Sequence, residues 1–356
     1  MRIAQVASLF EPVPPKAAGG TGRVVSYLTE ELVRLGHEVT LFASGDSTTS
    51  ANLFATCPQS LKSRAGCRDQ IVHHVLLAEQ LFKSASEFDV VHSHIEYFPF
   101  SLARRHQTPM VTTLHWSLDF MKEDWEPIYS EFSDLRFISI SNAQRKTFSW
   151  LNWQGTVYHG LPKVLYQPNE NRGKYLAFLA RLSPEKGVRT AIEIAIRAGM
   201  ELRIAGDISQ VQFFRQIEPF FKHPLIEYVG ELRQEEKNEF LGNAYALLFP
   251  VDVHEAFGLA MIEAMACGTP VIARDRGSIR EVVDEGLTGF VFDEPEAALP
   301  LIEKVSTLDR KQVRWVFEER FSDARMAADY TTIYRRVAGQ RADVKGILAP
   351  AVNTII

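Results

Sequence analysis

Cysteine is scarce in this sequence, and its scarcity excludes two kinds of site. The chain of 356 residues contains Cys57, Cys67 and Cys267, with no Cys-x-x-Cys pair. An odd number of widely spaced cysteines excludes a disulfide framework and lacks the spacing of a zinc site. The pattern indicates a reduced, cytoplasmic protein in which all three cysteines are structural.

Long apolar runs and an excess of basic charge are also missing. No run of 18 apolar residues occurs and the first residues lack a basic start, so neither a spanning helix nor a signal peptide is predicted. The formal charge is −5, from 39 Lys and Arg against 44 Asp and Glu, which disfavours nucleic acid as a partner. The hydrophobic content of 46% suffices for about two domains.

Short apolar runs alternate with amphipathic helices along most of the chain. The predicted strands are 2–8, 39–43, 89–94, 109–115, 136–141 and 156–160, then 175–181, 202–206, 226–230, 245–250, 270–273 and 289–293. Because these runs are apolar throughout, they are typical of parallel strands covered on both faces. The alternation predicts an α/β fold of two doubly wound, Rossmann-like domains that face each other.

Composition sets the expected boundaries of these domains. The polar stretch 166–173 (YQPNENRG) predicts a linker between an N-terminal domain, 1–165, and a C-terminal domain, 174–322. A helix is predicted over 323–340, and 341–356 is predicted to be a tail.

The segment HEAFGLAMIEAMACGTPVIA has the sharpest pattern in the chain. Glu255 precedes a predicted helix, and Glu263 follows eight residues later inside it. Phe257, Gly258 and Leu259 would form the first turn, where free amides and the helix dipole favour an anion. Carboxylates accept hydrogen bonds from vicinal hydroxyls, so the segment suits a nucleotide sugar. The alternative interpretation is a capped, alanine-rich core helix.

Other candidate residues follow strands of the second half. Arg181 and Lys186 come after the first of these strands, and Gly206 and Gly230 end the next two. Open α/β sheets bind ligands at this edge, and cations there could stabilise a departing diphosphate. Arg181 and Lys186 could equally be a solvated basic pair.

Glycines and histidines mark the first half. Gly19 and Gly20 precede a helix that contains Arg23, and glycine there allows close approach to a phosphate or sugar. His94 and His115 end two strands, as does His92 beside His94, and each could contact a ligand or simply be packed. Trp116 could serve as a sugar platform or anchor a long loop.

Together these residues resemble the GT-B glycosyltransferases, specifically retaining family 4 of the bacterial type. The likeness is carried by the E-x7-E pattern, by YLAFLARLSPEKG, and by the Gly-Gly loop, VTTLH and SISNAQR in the same order. It implies a transferase that moves a sugar from a UDP- or GDP-linked donor to an acceptor hydroxyl in an α-linkage. It also implies that the C-terminal helix crosses back to the first domain.

The resemblance implies roles for individual residues. Glu255 would contact donor-sugar hydroxyls, and Glu263 the ribose. Arg181 and Lys186 would clamp the diphosphate, with His115 near the reacting centre. Further donor contacts are implied for Gly19, Gly20, Gly206, Gly230, Phe257, Gly258 and Leu259, and the acceptor candidates are His94, Trp116 and Arg23.

The chain departs from the pattern in one place, because Gly22 stands where relatives read Glu. It contains no Asp-x-Asp, and Asp252, His254 and Glu255 lie on one loop without a fourth ligand, so no metal and no cofactor are predicted.

The acceptor class is left open as carbohydrate, lipid-linked or small-molecule. A weak peripheral contact with the inner face of the membrane is considered through Lys62, Arg64 and Arg68 and through 310–321, which could also be solvated helix faces. The alternative functions are a sugar phosphorylase, a nucleotide-sugar epimerase or a non-catalytic binding protein.

Overall fold

Two parallel sheets organise residues 1–16, 19–64, 66–208 and 210–347, which this computed structural model describes. The first sheet contains β1 (Arg2–Val6), β2 (Glu38–Ser44), β3 (Asn52–Cys57), β4 (Val90–Ser93), β5 (Met110–Thr113), β6 (Arg136–Ser139) and β7 (Trp153–Thr156). Its strand order is β3-β2-β1-β4-β5-β6-β7, and each pair of neighbours is parallel.

The second sheet repeats this arrangement with six strands. They are β8 (Tyr175–Leu179), β9 (Leu202–Ala205), β10 (Ile226–Gly230), β11 (Ala244–Phe249), β12 (Val271–Arg274) and β13 (Gly289–Phe292), in the order β10-β9-β8-β11-β12-β13. The predicted α/β fold of two Rossmann-like domains is therefore confirmed.

Helices cover both faces of the sheets. Those of the first domain are α1 (Gly20–Arg34), α2 (Gln70–Ser84), α3 (Phe100–Ala103), α4 (Lys122–Glu131) and α5 (Asn142–Arg145). Later helices are α6 (Val188–Ala198), α7 (Val211–Ile217), α8 (Gln234–Gly242), α9 (Leu259–Ala266), α10 (Ile279–Val282), α11 (Ala298–Lys304), α12 (Arg310–Arg320) and α13 (Asp323–Ile347).

The largest differences from the predicted strands lie at the edges of the first sheet. The prediction omitted β3, an edge strand whose residues are mostly exposed and so lack a continuous apolar run. The predicted strand 156–160 is wrong in position, because β7 ends at Thr156. Val157 is buried in the core of the first domain. His159 follows where the chain leaves this domain, and its ring contacts those of His115 and Phe257.

The chain crosses between the domains twice, and the two crossings lie side by side. Leu161 N donates to Phe321 O at 2.9 Å, and Asp323 N donates to Leu161 O at 3.1 Å. A Cβ at Gly160 would overlap the carbonyl oxygen of Ser322. Glycine at this position is what allows the two backbones to touch.

After the second crossing, α13 packs on the first domain. Met326, Tyr330, Tyr334 and Val337 join a cluster with apolar residues of β1, β4, β5, β6 and α1. The helix continues to Ile347, so the predicted start of a tail at 341 is wrong. Gly339 costs a helix only about 1 kcal/mol, which is too little to end α13. The rest of the predicted tail, 348–356, lies outside the described residues.

The two basic segments considered for membrane contact differ in what their arginines and lysines contact. Lys62 pairs with Glu11 at 2.6 Å on the surface. In α12, however, Arg310 is buried and donates to backbone carbonyls, and Arg320 donates to the carbonyl oxygen of Glu281. Arg310 and Arg320 therefore brace the second domain, while Lys311 and Trp315 of the same helix are exposed, and membrane contact stays a prediction. In the described part of the chain, none of the helices has the length and apolar character needed to cross a membrane.

Candidate functional site

A cleft of about 430 Å³ lies between the two domains, at the carboxyl edges of both sheets. The first domain contributes the start of α1 and the loop after β5. The second contributes the loops after β8, β9 and β11 and the start of α9. Parallel strands bring their loops to one edge, which is why residues far apart in sequence meet here.

Most of the predicted site residues line this cleft. They are Gly19, Gly20, Arg23, His115, Trp116, Arg181, Lys186, Gly206, Glu255, Phe257, Gly258, Leu259 and Glu263. Gly20 faces the second domain directly, since a Cβ there would lie 3.0 Å from Leu259 Cδ1.

Two predicted residues do not line the cleft, and their assignments are corrected. Gly230 ends β10 behind its rim, where its carbonyl accepts from Gly206 N at 2.9 Å; the lining residue is its neighbour Glu231. His94 is 1% exposed because its ring lies beneath His115, so it cannot touch an acceptor directly.

Glu255 and Lys186 form an ion pair within the cleft. Lys186 Nζ lies 2.6 Å from Glu255 Oε2, and both side chains are mostly buried. Gly187, which follows Lys186, has a φ of 72° and its Cα abuts the Pro250 carbonyl, so the loop after β8 is held against the end of β11. The pair couples a hydroxyl acceptor to a cation that could also bind phosphate.

Arg181 is held more loosely than Lys186. Its guanidinium donates to Glu185 at 3.2 Å, and 45% of its side chain is exposed. Glu185, which was not predicted as a site residue, lines the cleft beside it.

Glu263 lies within α9, on the other side of its first turn from Glu255, and is buried. Its Oε1 accepts from Lys237 Nζ at 2.6 Å and from the Tyr166 hydroxyl at 2.9 Å. Arg23 lies 3.8 Å from the same oxygen, so this predicted acceptor contact sits beside the predicted ribose contact. Burial lowers the pKa of Lys237, and the charge of Glu263 opposes that shift.

Lys237 and Tyr166 were not predicted as site residues. Lys237 lies on a polar helix with no motif, and Tyr166 is the first residue of the predicted linker. Tyr166 is 1% exposed, and burial together with the charge of Glu263 raises its pKa well above the usual value. Its neutral hydroxyl therefore donates to Glu263, a contact that polar composition could not reveal.

The first turn of α9 is fixed by Gly258 and Phe257. Gly258 has a φ of 86°, and a Cβ there would lie 2.6 Å from Met261 Cε and 3.2 Å from the Phe249 ring. Phe257 is buried against the rings of His159 and Phe321. The first amides of an α-helix lack partners within the helix, so this turn presents donors to the cleft.

Histidines form the wall of the cleft on the side of the first domain. His115 Nε2 lies 2.8 Å from His94 Nδ1, and His159, which was not predicted, stacks on His115 with ring centres 5.4 Å apart. Burial lowers the pKa of His115 to about 3, and it lowers the pKa of His94 and His159 well below the usual value. All three rings are therefore neutral at pH 7.

Contacts between the domains span the cleft. His254 Nδ1 lies 2.7 Å from Asp119 Oδ2. Nearby, the Glu281 carboxylate accepts from the backbone amides of Asn142 and Ala143 at 2.7 and 2.6 Å. Trp116 and Phe120 are exposed lining residues at the same end and offer aromatic faces to a sugar.

The loop considered for metal ligands is engaged in other contacts. Asp252 pairs with Arg274, Glu255 with Lys186, and His254 with Asp119. Across the residues that the structure describes, no group of three or more His, Cys, Asp or Glu side chains could hold a metal ion.

Each half of the chain matches a known family of domains. Residues 18–153 match the family described as Glycosyltransferase Family 4, and residues 166–320 match Glycosyl transferases group 1. Glycogen synthase of Mycobacterium tuberculosis is 26% identical over 347 residues, with 81% of each chain covered.

Solved structures share the fold at lower identity. AviGT4, a glycosyltransferase involved in avilamycin A biosynthesis, superposes with a TM-score of 0.73 and 20% identity over 95% of this chain and 98% of that chain. HepE of Anabaena, in complex with UDP-glucose, superposes with a TM-score of 0.70 and 16% identity over 96% of this chain and 100% of that chain. Both superpositions extend over the two domains together.

Proposed function

Since this chain belongs to the family 4 glycosyltransferases and has the GT-B fold, we propose that it transfers a sugar from a UDP- or GDP-linked donor to an acceptor hydroxyl, with retention. The observation that carries the proposal is the placement of Glu255 before the first turn of α9 and of Glu263 within α9, both inside the cleft between the domains. A nucleotide sugar has hydroxyls at both ends and a diphosphate between them, and this array has the same order.

The donor would be held through its three parts. Glu255 would accept from hydroxyls of the sugar, and the buried Glu263 would accept from the ribose. The first turn of α9 would face the diphosphate, with Lys186 and Arg181 countering its charge. Because the amides and cations are already fixed, they can stabilise charge on the leaving group without reorganising.

Retention is proposed to proceed on one face of the sugar. The bond from the anomeric carbon to the phosphate oxygen breaks as the acceptor oxygen bonds to that carbon from the same side. The departing phosphate oxygen accepts the proton of the acceptor hydroxyl. The ion pair of Glu255 with Lys186 supports a hydroxyl-binding role for Glu255 rather than that of a nucleophile.

We propose that positive side chains and helix amides replace a metal in this reaction, and that no cofactor is needed. The acceptor is proposed to be a carbohydrate, a lipid-linked sugar or a small molecule that enters beside Trp116. The scarcity of cysteine supports a cytoplasmic location, with a lipid-linked acceptor requiring work at the inner face of the membrane.

Donor choice can be tested by thermal shift with UDP, GDP, ADP and their sugars. A ligand at 100 times its Kd stabilises the folded state by about 2.7 kcal/mol, so the correct nucleotide should raise Tm visibly. Transfer of the selected sugar is then followed with and without EDTA, and the anomeric configuration of the product is read by NMR. An inverted product would contradict retention, and loss of transfer in EDTA would contradict the metal-free mechanism.

Glu263→Gln is the matched variant, because it keeps the shape and removes the charge. We expect donor affinity to fall about tenfold or more while the fold persists. Glu318→Gln, which changes a partly exposed carboxylate outside the cleft, is the control and should bind the donor normally. Normal donor binding by Glu263→Gln would contradict the proposed ribose contact.

A further inference from the structure

A chain of buried polar side chains connects α13 to the cleft. Tyr334 Oη accepts from Gln5 Nε2 at 3.1 Å, and Gln5 Oε1 lies 2.9 Å from His94 Nε2. His94 Nδ1 in turn lies 2.8 Å from His115 Nε2. Gln5, His94 and Tyr334 are each 1% exposed or less, so water cannot replace any of these contacts.

The donors and acceptors along this chain fix where the protons lie. The amide oxygen of Gln5 can only accept, so the proton of His94 is on Nε2. A neutral imidazole has one N–H, so His94 Nδ1 accepts and His115 Nε2 donates. The Nδ1 of His115 is then left as a bare lone pair.

A second branch follows from the same orientation of Gln5. Tyr334 accepts from Gln5, so its own proton points to His92 Nδ1, 2.6 Å away. His92 then carries its proton on Nε2 and donates to Thr113 Oγ1 at 2.7 Å. Both branches therefore start from the orientation of one amide, that of Gln5.

His115 lines the cleft, and its Nδ1 has no hydrogen-bond partner among the described residues. His115 Nδ1 is buried and has no hydrogen bond within the described residues, and the same holds for Nδ1 of His159, stacked on the same ring. Both rings line the cleft. A buried acceptor left unpaired is unfavourable, so Nδ1 of His115 indicates a ligand that supplies a donor.

We propose that His94 and Gln5 are positioning residues that hold His115 in the tautomer with its proton on Nε2, so that Nδ1 can accept from a hydroxyl of the sugar in the cleft. The ring then offers neither an N–H nor a positive charge at that nitrogen. The sugar hydroxyl must donate, and His115 cannot act as a general acid. This inference rests on the proposed function for its ligand, but the tautomer is a property of the free protein.

The tautomer is tested first, by long-range ¹H–¹⁵N spectra of ¹⁵N-histidine-labelled protein without ligand at pH 7, with His115 assigned by loss of its signals in His115→Asn. We expect the Nε2-protonated form. A proton on Nδ1 alone would overturn the proposal, because it reverses the chain of donors from Gln5. A proton on both nitrogens would also overturn it, because Nδ1 could then no longer accept.

Variants at position 94 then connect the tautomer to activity. His94→Leu removes the acceptor, so we expect mixed tautomers of His115 and a fall in kcat of about tenfold, roughly the worth of one hydrogen bond. His94→Asn can place an oxygen near the original Nδ1, and should restore both the spectrum and most of kcat. Gln5→Leu acts one step earlier and replaces His94→Leu if that variant does not fold.

Thr113→Val is the matched control, since it cuts the other branch in an equally buried place. It should lower Tm but leave the His115 spectrum and kcat within about twofold of wild type. Equal losses in His94→Leu and His94→Asn with an unchanged spectrum would overturn the positioning role. A wild-type protein that transfers no sugar would instead contradict the proposed function, while its spectrum still decides the tautomer.

Discussion

Single residues in the cleft are held by partners that a bound donor would have to share. Lys186 lies 2.6 Å from Glu255, and three donors crowd one oxygen of Glu263. Such mostly buried ion pairs contribute little to net stability, because desolvation offsets their attraction. These ion pairs instead hold each charged group in a fixed orientation, so that it would not have to reorganise when the proposed donor binds.

The buried histidines make stability depend on pH. His92, His94, His115 and His159 have pKa values lowered mainly by burial, so they stay neutral in the folded state while the unfolded chain takes up protons below about pH 6.5. Stability is therefore lost as pH falls. We expect a loss of about 1 kcal/mol per histidine between pH 7 and pH 5.5, measured by urea denaturation.

Two buried carboxyls oppose this loss of stability at low pH. Burial raises the pKa of Glu96 to about 8, and burial also raises the pKa of Asp323, so both carboxyls favour the folded state at low pH, but they are two groups against four. Stability that is unchanged or higher at pH 5.5 would contradict neutral burial of the histidines. His115→Asn should reduce the pH dependence by roughly one histidine's share.

At the scale of elements, Gly258 controls the shape of the first turn of α9. Gly258→Ala would place a methyl group against Met261 and Phe249 at a φ of 86°. We expect a loss of about 1–3 kcal/mol in unfolding free energy and weaker nucleotide binding, because the amides of the turn must shift. Urea denaturation and thermal shift with the nucleotide measure the two effects.

Gly242→Ala is the control for this substitution. Gly242 lies at the end of α8, and a Cβ there would meet Asn169 Cβ at an ordinary 3.6 Å. Its stability should be unchanged or slightly higher. Normal nucleotide binding by Gly258→Ala would contradict the role of this turn.

The elements differ in how far sequence could predict them. Strands buried on both faces, such as β8 and β11, have continuous apolar runs that fix their positions within one or two residues. The exposed edge strand β3 has no such signal. The end of α13 was missed for another reason: the sequence after Gly339 has no strong pattern, and glycine costs a helix only about 1 kcal/mol.

The site was predictable where its residues are close together in the sequence. Glu255, Gly258 and Glu263 lie close together in one segment, so their pattern predicts a shared role. Lys237 and Tyr166 reach Glu263 only through the fold, from segments with no motif. His94 shows the opposite error, since a residue at a strand end need not point into the cleft.

At the scale of the whole molecule, the two adjacent segments that cross between the domains, at Gly160 and at Ser322, fix the position of one domain relative to the other. Gly160→Ala would force the crossing backbones apart at Ser322 and strain the hydrogen bonds of Leu161. Backbone overlap cannot be relieved by a side chain, so we expect a loss of about 3 kcal/mol or more, measured by chemical denaturation.

Gly339→Ala is the matched control within the helix that follows the second crossing. No atom lies within 4 Å of a Cβ at that position, so alanine should stabilise α13 by up to about 1 kcal/mol. A Gly160→Ala variant as stable as wild type would contradict the tight contact of the two crossings.

The return of α13 also has a consequence for the order of synthesis. Tyr330 and Tyr334 cover apolar residues of the first sheet, yet they emerge from the ribosome about 300 residues after β1. The first domain is therefore made early and completed last. Until α13 is translated, one face of the first sheet remains uncovered and the amide of Gln5 lacks its contact with Tyr334.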